Sequence, residues 1–130
     1  MSNAPAIHEI YLLPEGVDKV TEIKDTKIPN AATFHLEKED HTLGNVLRME
    51  LLKNPKVLFA GYKMAHPLDH SVDLKLQTTA DTSPLQVLQE DINSIVKEIG
   101  QIKRKFENEL TLHSMQSVEP TNGFTVDRAY

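Results

Sequence analysis

Alternation of apolar and polar positions marks two strands without ambiguity. Ala32, Phe34 and Leu36 alternate with Thr33, His35 and Glu37, which predicts a strand buried on one face. From Ser71 to Thr78 the alternation is unbroken, with Val72, Leu74 and Leu76 on one side and Asp73, Lys75 and Gln77 on the other. Between them, Val57 to Met64 is nearly continuously apolar, interrupted by Gly61, and predicts a buried strand. A short polar link carrying His66-Pro67 joins it to the strand after it, so the two read as an antiparallel hairpin. Upstream, Val20 to Ile23 is a short run suited to pair with residues 32–36, and Asp25 to Asn30 is a polar loop. The opening segment Ile7 to Leu13 closes on the turn Pro14-Glu15-Gly16.

Helical spacing accounts for the remaining apolar residues. Leu43, Val46, Leu47 and Leu51 recur at intervals of three and four, preceded by Asp40 and Thr42 as candidate caps. Asn54-Pro55 ends this helix, with Asn54 suited to a left-handed cap. Met49 and Leu52 lie off the main stripe, so apolar side chains cover well over half the helix circumference. One sheet cannot cover so wide an arc, and a second surface must bury the rest. A longer helix opens on Ser83-Pro84-Leu85-Gln86, a capping box with proline at the first helical position. Leu85, Leu88, Ile92, Ile95, Ile99, Ile102 and Phe106 then form a narrow seam, which Leu110 continues in a slipped register.

Length gives that seam its meaning. From Pro84 to Leu110 the helix should run roughly 40 Å at 1.5 Å per residue. Ser71 to Thr78 spans only about 26 Å as a strand. The seam is expected to outrun its own sheet, and each Ile or Leu left in water forgoes roughly 1.5–3 kcal/mol of burial. A partner helix is the natural cover. Gly100, inside the seam region, suits either a close helix crossing or an ordinary surface position.

Composition narrows the function classes. At 130 residues with a net charge of −5, the chain is one modest domain and a poor phosphate-gripping surface on its own, so any role near nucleic acid is indirect. The absence of cysteine excludes disulfides, thiolate–zinc sites and thiol catalysis. The opening residues carry no basic signal region, which leads us to expect a cytosolic or nuclear protein. His35, His41, His66 and His70 lie near carboxylates, but no HxxxH, HxH or HExxH spacing puts two ligands on one face of one helix or strand, so no metal or other cofactor is expected. Glu37-Lys38-Glu39-Asp40 is explained by the helix dipole that follows it. No serine sits in a nucleophile elbow, and no phosphate-cradling glycine loop occurs. Lys103-Arg104-Lys105 reads as the wet side of the long helix. No catalytic residue is therefore assigned.

EKEDHTLGN, from Glu37 to Asn45, resembles the motif shared by the dimerisation domains of alpha-like RNA polymerase subunits. Asp25 to Ala31, Val57 to Lys63, His66-Pro67-Leu68 and Leu76-Gln77-Thr78-Thr79 are similar to the polymerase II branch of that family. The likeness covers roughly Asn3 to Leu112. It implies an α+β fold: a two-layer alpha/beta sandwich of mainly antiparallel sheet, a short first helix and a long C-terminal helix. It further implies a non-catalytic subunit in the nucleus. That subunit would heterodimerise with the third-largest polymerase II subunit, seed assembly, and help hold the large catalytic subunits and other small subunits. Carried onto this chain, Leu43, Val46, Leu47 and Leu51 would line the first-helix contact. Leu88, Ile92, Ile95, Ile99, Ile102 and Phe106 would line the second. His41, Thr42, Gly44 and Asn45 would shape the motif's turn, and Gly61, Tyr62, His66 and Pro67 the following loop.

The sequence departs from the family at Met64-Ala65, at Asp73 and after Leu112, which touches secondary contacts and not the seam. Residues 1–113 are expected to form the dimerisation domain and 114–130 a flexible tail. Three other readings compete: the equivalent subunit shared by polymerases I and III, a small homo-oligomeric enzyme of the pterin-dehydratase type, and a coiled-coil adaptor. The second needs converging histidines. The third leaves the alternating strands unexplained.

Overall fold

The structure, a computed structural model, describes residues 4–116. Its elements follow the order of a 3-10 turn (Ile7–Ile10), β1 (Val20–Lys24), β2 (Ala31–Glu37), α1 (His41–Lys53), β3 (Val57–Lys63), β4 (Ser71–Thr78) and α2 (Pro84–Gln116). The chain divides into two compact units, residues 1–95 and 96–130. Over its described residues the second unit is the remainder of α2.

In the first unit, one four-stranded sheet has the order β1-β2-β4-β3, every neighbouring pair antiparallel. The two alternating strands are its centre. Phe34 lies opposite Leu74, Ala32 opposite Leu76 and Leu36 opposite Val72. All six side chains are buried, as the period of two requires when one face meets a helix layer. Leu47 and Leu51 of α1 and Val87 and Leu88 of α2 complete this core, with Leu43, Val57, Tyr62, Met64, Ile92 and Ile95 packed around it.

Several local expectations change. β3 is an edge strand, not a buried one: Leu58 and Phe59 are 62% and 50% exposed. A register irregularity between Val57 and Phe59 leaves Leu58 out of the pairing, and only Ala60 is buried. A run of apolar residues cannot distinguish an edge from a centre, because that depends on strand order. Asn54 closes α1 in an extended conformation, φ −75° and ψ 120°, and not in the left-handed one. Its side chain is otherwise engaged, donating to Asp91 and accepting from the Lys56 amide. The burial of Asp91 in turn holds its carboxyl above the usual range. The opening segment contains a 3-10 turn whose side chains are exposed.

Caps follow the chemistry of the sequence. Asp40 is the N-cap of α1 and accepts from the Thr42 amide at 2.8 Å. That hydrogen bond lowers the Asp40 pKa. At α2, Ser83 Oγ accepts from the Gln86 amide, while the Gln86 side chain donates to Glu90. α2 continues three residues past His113, so 114–116 are helical; the rest of the expected tail, 117–130, lies outside the described residues.

Candidate functional site

α1 has two apolar faces with opposite fates. Leu47 and Leu51 are buried against the sheet, and Gly44 lies under Tyr62. A methyl group on Gly44 would stand 2.7 Å from the Tyr62 ring, so the close approach of α1 to β3 depends on that glycine. The other face carries Val46, Met49 and Leu52, exposed by 45–52%. Polar contacts fix the helix against the start of α2. Ser94 donates to Glu50 and Asn54 to Asp91. Glu50 is further paired with Lys53, which lowers its pKa.

The seam of α2 is likewise split. In the first unit Val87 and Leu88 are buried, and Ile92 and Ile95 are partly buried against the core. In the second unit every described side chain from Gln101 onward is exposed. Ile99, Ile102 and Phe106 are 60%, 67% and 68% exposed at unchanged spacing, and Leu110 extends the row. A helix of 33 residues therefore carries one stripe with two burial regimes. The stripe is wider than the seam read from the sequence, since Val96 is also exposed at 62%. Its flanks are charged, with Lys103 and Glu107 3.9 Å apart. Such an arrangement is suited to pack against another apolar surface.

The expected contact residues thus occupy three environments. Leu47, Leu51 and Leu88 belong to the chain's own core; Leu43, Ile92 and Ile95 are half-buried at its margin; Val46, Ile99, Ile102 and Phe106 stand in solvent. Met49 and Leu52 join the exposed set, and their position off the main stripe was the signal in the sequence. His41, Thr42, Gly44 and Asn45 form the opening turns of α1 and not a separate turn. Gly61 and Tyr62 belong to β3, and only His66 and Pro67 lie in the loop after it. His41 Nδ1 meets the Tyr62 hydroxyl at 3.0 Å, and His66 Nδ1 accepts from the Leu68 amide.

His35 lies on β2 and His41 on α1, while His66 and His70 lie in the loop between β3 and β4. His35 stands on the sheet face away from the helices, between Asp73 Oδ1 at 2.6 Å and Glu37 Oε1 at 3.0 Å. With a carboxylate on each ring nitrogen, Asp73 first and then Glu37 raise the His35 pKa above its ordinary value, against the opposing effect of burial. Lys75 on the same face pairs with Asp25, whose carboxyl also accepts from the Lys27 and Ile28 amides and falls to about 2. Among the described residues no group of three or more His, Cys, Asp or Glu is arranged to hold a metal ion.

The model of the RNA polymerase Rpb3/Rpb11 dimerisation domain matches residues 31–105, from β2 through most of the exposed stripe. The DNA-directed RNA polymerase II subunit RPB11 of Schizosaccharomyces pombe is 46% identical over 119 residues, covering 90% of this chain and 96% of that one. The corresponding subunit, rpb11, of Dictyostelium discoideum is 44% identical over 104 residues, covering 80% and 87%. The crystal structure of DNA-directed RNA polymerase subunit L from Thermoplasma acidophilum shares the fold with a TM-score of 0.63 at 21% identity, over 74% of this chain and 92% of that one. With the helix-over-sheet core, the exposed stripe and these matches in agreement, the chain belongs to the RNA polymerase Rpb3/Rpb11 dimerisation domain family.

Proposed function

We propose that this chain is the smaller alpha-like, non-catalytic subunit of DNA-directed RNA polymerase II, working in the nucleus as the heterodimer partner of the third-largest subunit. The observation that carries the reading is the row Ile99, Ile102 and Phe106. It is apolar, regular and solvent-exposed, and most of it falls inside the segment matched by the dimerisation domain. Covering each of those side chains gains up to roughly 1.5–3 kcal/mol, which offsets part of the cost of association. Val46, Met49 and Leu52 on α1 supply a second apolar contact of the same kind. The names of the relatives support polymerase II over the subunit shared by polymerases I and III.

Purification of the tagged chain from a nuclear extract tests the reading. Recovery of the third-largest polymerase II subunit is expected. Recovery of polymerase I and III subunits in its place would transfer the chain to the other branch, and a chain that recovers no polymerase subunit would remove it from both.

A further inference from the structure

A second surface stands apart from the helix stripes. The 3-10 turn and the loop between β3 and β4 form the walls of an open groove of about 390 Å³, lined by Pro5, Glu9 and Ile10 on one side and Leu68, Asp69 and His70 on the other. Glu37, Lys38 and Ser71 form its floor. The floor is fixed by several contacts. Lys38 adopts a left-handed φ of 55°, which turns the chain sharply out of β2. Lys19 Nζ holds the Lys38 carbonyl at 3.2 Å and the Glu39 carboxylate at 2.6 Å. The Glu39 amide donates to the His70 carbonyl, tying the two loops together.

One large apolar side chain from each wall lines the groove, Ile10 at 45% and Leu68 at 80% exposed. Ile7, Tyr11 and Leu12, on the same chain segment as Ile10 but outside the groove lining, are 81%, 67% and 58% exposed. None of them contributes to the core. Scattered single exposures are ordinary, but Ile10 and Leu68 line one groove from two chain segments far apart in sequence. Its charge is one-sided. Three carboxylates, Glu9, Glu37 and Asp69, line the groove against a single lysine, Lys38. Glu37 is engaged with His35, whereas Glu9 and Asp69 form no ion pair among the described residues.

Resting on the function proposed above, we infer that this groove docks a lysine- or arginine-bearing segment of another polypeptide of the assembly, anchored by an apolar side chain between Ile10 and Leu68. The cations of that segment meet Glu9 and Asp69, and its apolar anchor covers the exposed walls. The surface is used in addition to pairing through the helices, so loss of one leaves the other.

The experiment uses the full chain in cells. Leu68, being exposed, is replaced by the photo-crosslinking residue p-benzoylphenylalanine, and adducts from the purified complex are mapped by mass spectrometry. An adduct within a Lys/Arg-bearing segment of another identified subunit is expected. Adducts confined to residues 117–130 of the same chain or to a second copy, or no adduct at all, would overturn the inference. In parallel, the double variant Glu9→Lys/Asp69→Lys should keep the alpha-like partner while recovery of the subunit crosslinked at Leu68 falls about tenfold. Undiminished recovery overturns the groove as a docking site. Loss of the alpha-like partner as well, with the circular dichroism unchanged, overturns its independence from the helix interface. Should the unmodified chain recover no polymerase subunit, the function proposed above fails, and the Leu68 adduct still decides the groove.

Discussion

The two parts of α2 carry the same apolar spacing and meet different fates. Val87 and Leu88 are buried, whereas Ile99, Ile102 and Phe106 are at least 60% exposed. Side-chain chemistry does not separate them, since both parts are apolar seams at helical spacing. What differs is that Val87 and Leu88 belong to the core cluster of the first unit. Periodicity therefore specifies that a face is apolar, and not what covers it. The same holds around α1, where Leu47 and Leu51 are buried while Val46 and Met49 on the same helix are exposed.

Substitutions on either side of this divide should behave oppositely. The largest effect is expected from Ile99→Asp combined with Phe106→Asp. Affinity for the alpha-like partner should fall by about 3–5 kcal/mol, through lost apolar burial and two desolvated charges, and thermal unfolding of the isolated chain should stay within a few degrees. Pairing measured by calorimetry that survives both charges would move the interface elsewhere. On the buried side, Leu74→Ala should cost about 2–5 kcal/mol in urea unfolding, because Leu74 is fully enclosed. A cost below about 1 kcal/mol would mean that the core collapses around the gap.

Gly44→Ala should destabilise the chain by about 1–3 kcal/mol, since the Tyr62 ring it would meet is held by His41. If the variant unfolds at the same urea concentration as the parent, α1 has room to shift. Gly100 is the contrasting glycine: a methyl group there has nothing within 4 Å. Gly100→Ala should stabilise the isolated helix by up to about 1 kcal/mol. A simultaneous loss of pairing would identify Gly100 as a close helix crossing, and unchanged pairing as ordinary surface.

The smallest effect is set by pH. His35 is raised above its ordinary pKa of 6.5, first by Asp73 and then by Glu37. Its stabilising contribution is fully present below that ordinary value and is lost as pH rises through the raised value of the folded state. Besides those carboxylates, Lys75 shares the sheet face, and Thr21 of β1 lies opposite His35. Stability by urea titration should decline across that window, and Asp73→Asn should flatten the decline. An unaltered slope in the variant would assign the pH dependence to another group.

Much of the fold was legible in the chain. Alternation placed β2 and β4, helical spacing placed α1 and α2, and Asp40 and Ser83 marked the helix starts. The polymerase motif then pointed to pairing. The status of β3 was not legible, because strand order makes it an edge and an apolar run does not encode order. Nor was the conformation of Asn54, whose side chain is drawn to Asp91, a residue 37 positions away. The groove beside Leu68 could not be read either. It joins segments that only tertiary contacts bring together, and the short apolar run Ile7 to Leu13 signals neither burial nor exposure.

By itself, then, the sequence determined which residues lie on one face of each element, because backbone geometry converts spacing into direction. The tertiary structure alone decided which faces the chain covers for itself. That depends on where strand order and the extent of the sheet bring a second surface, and no local pattern records it.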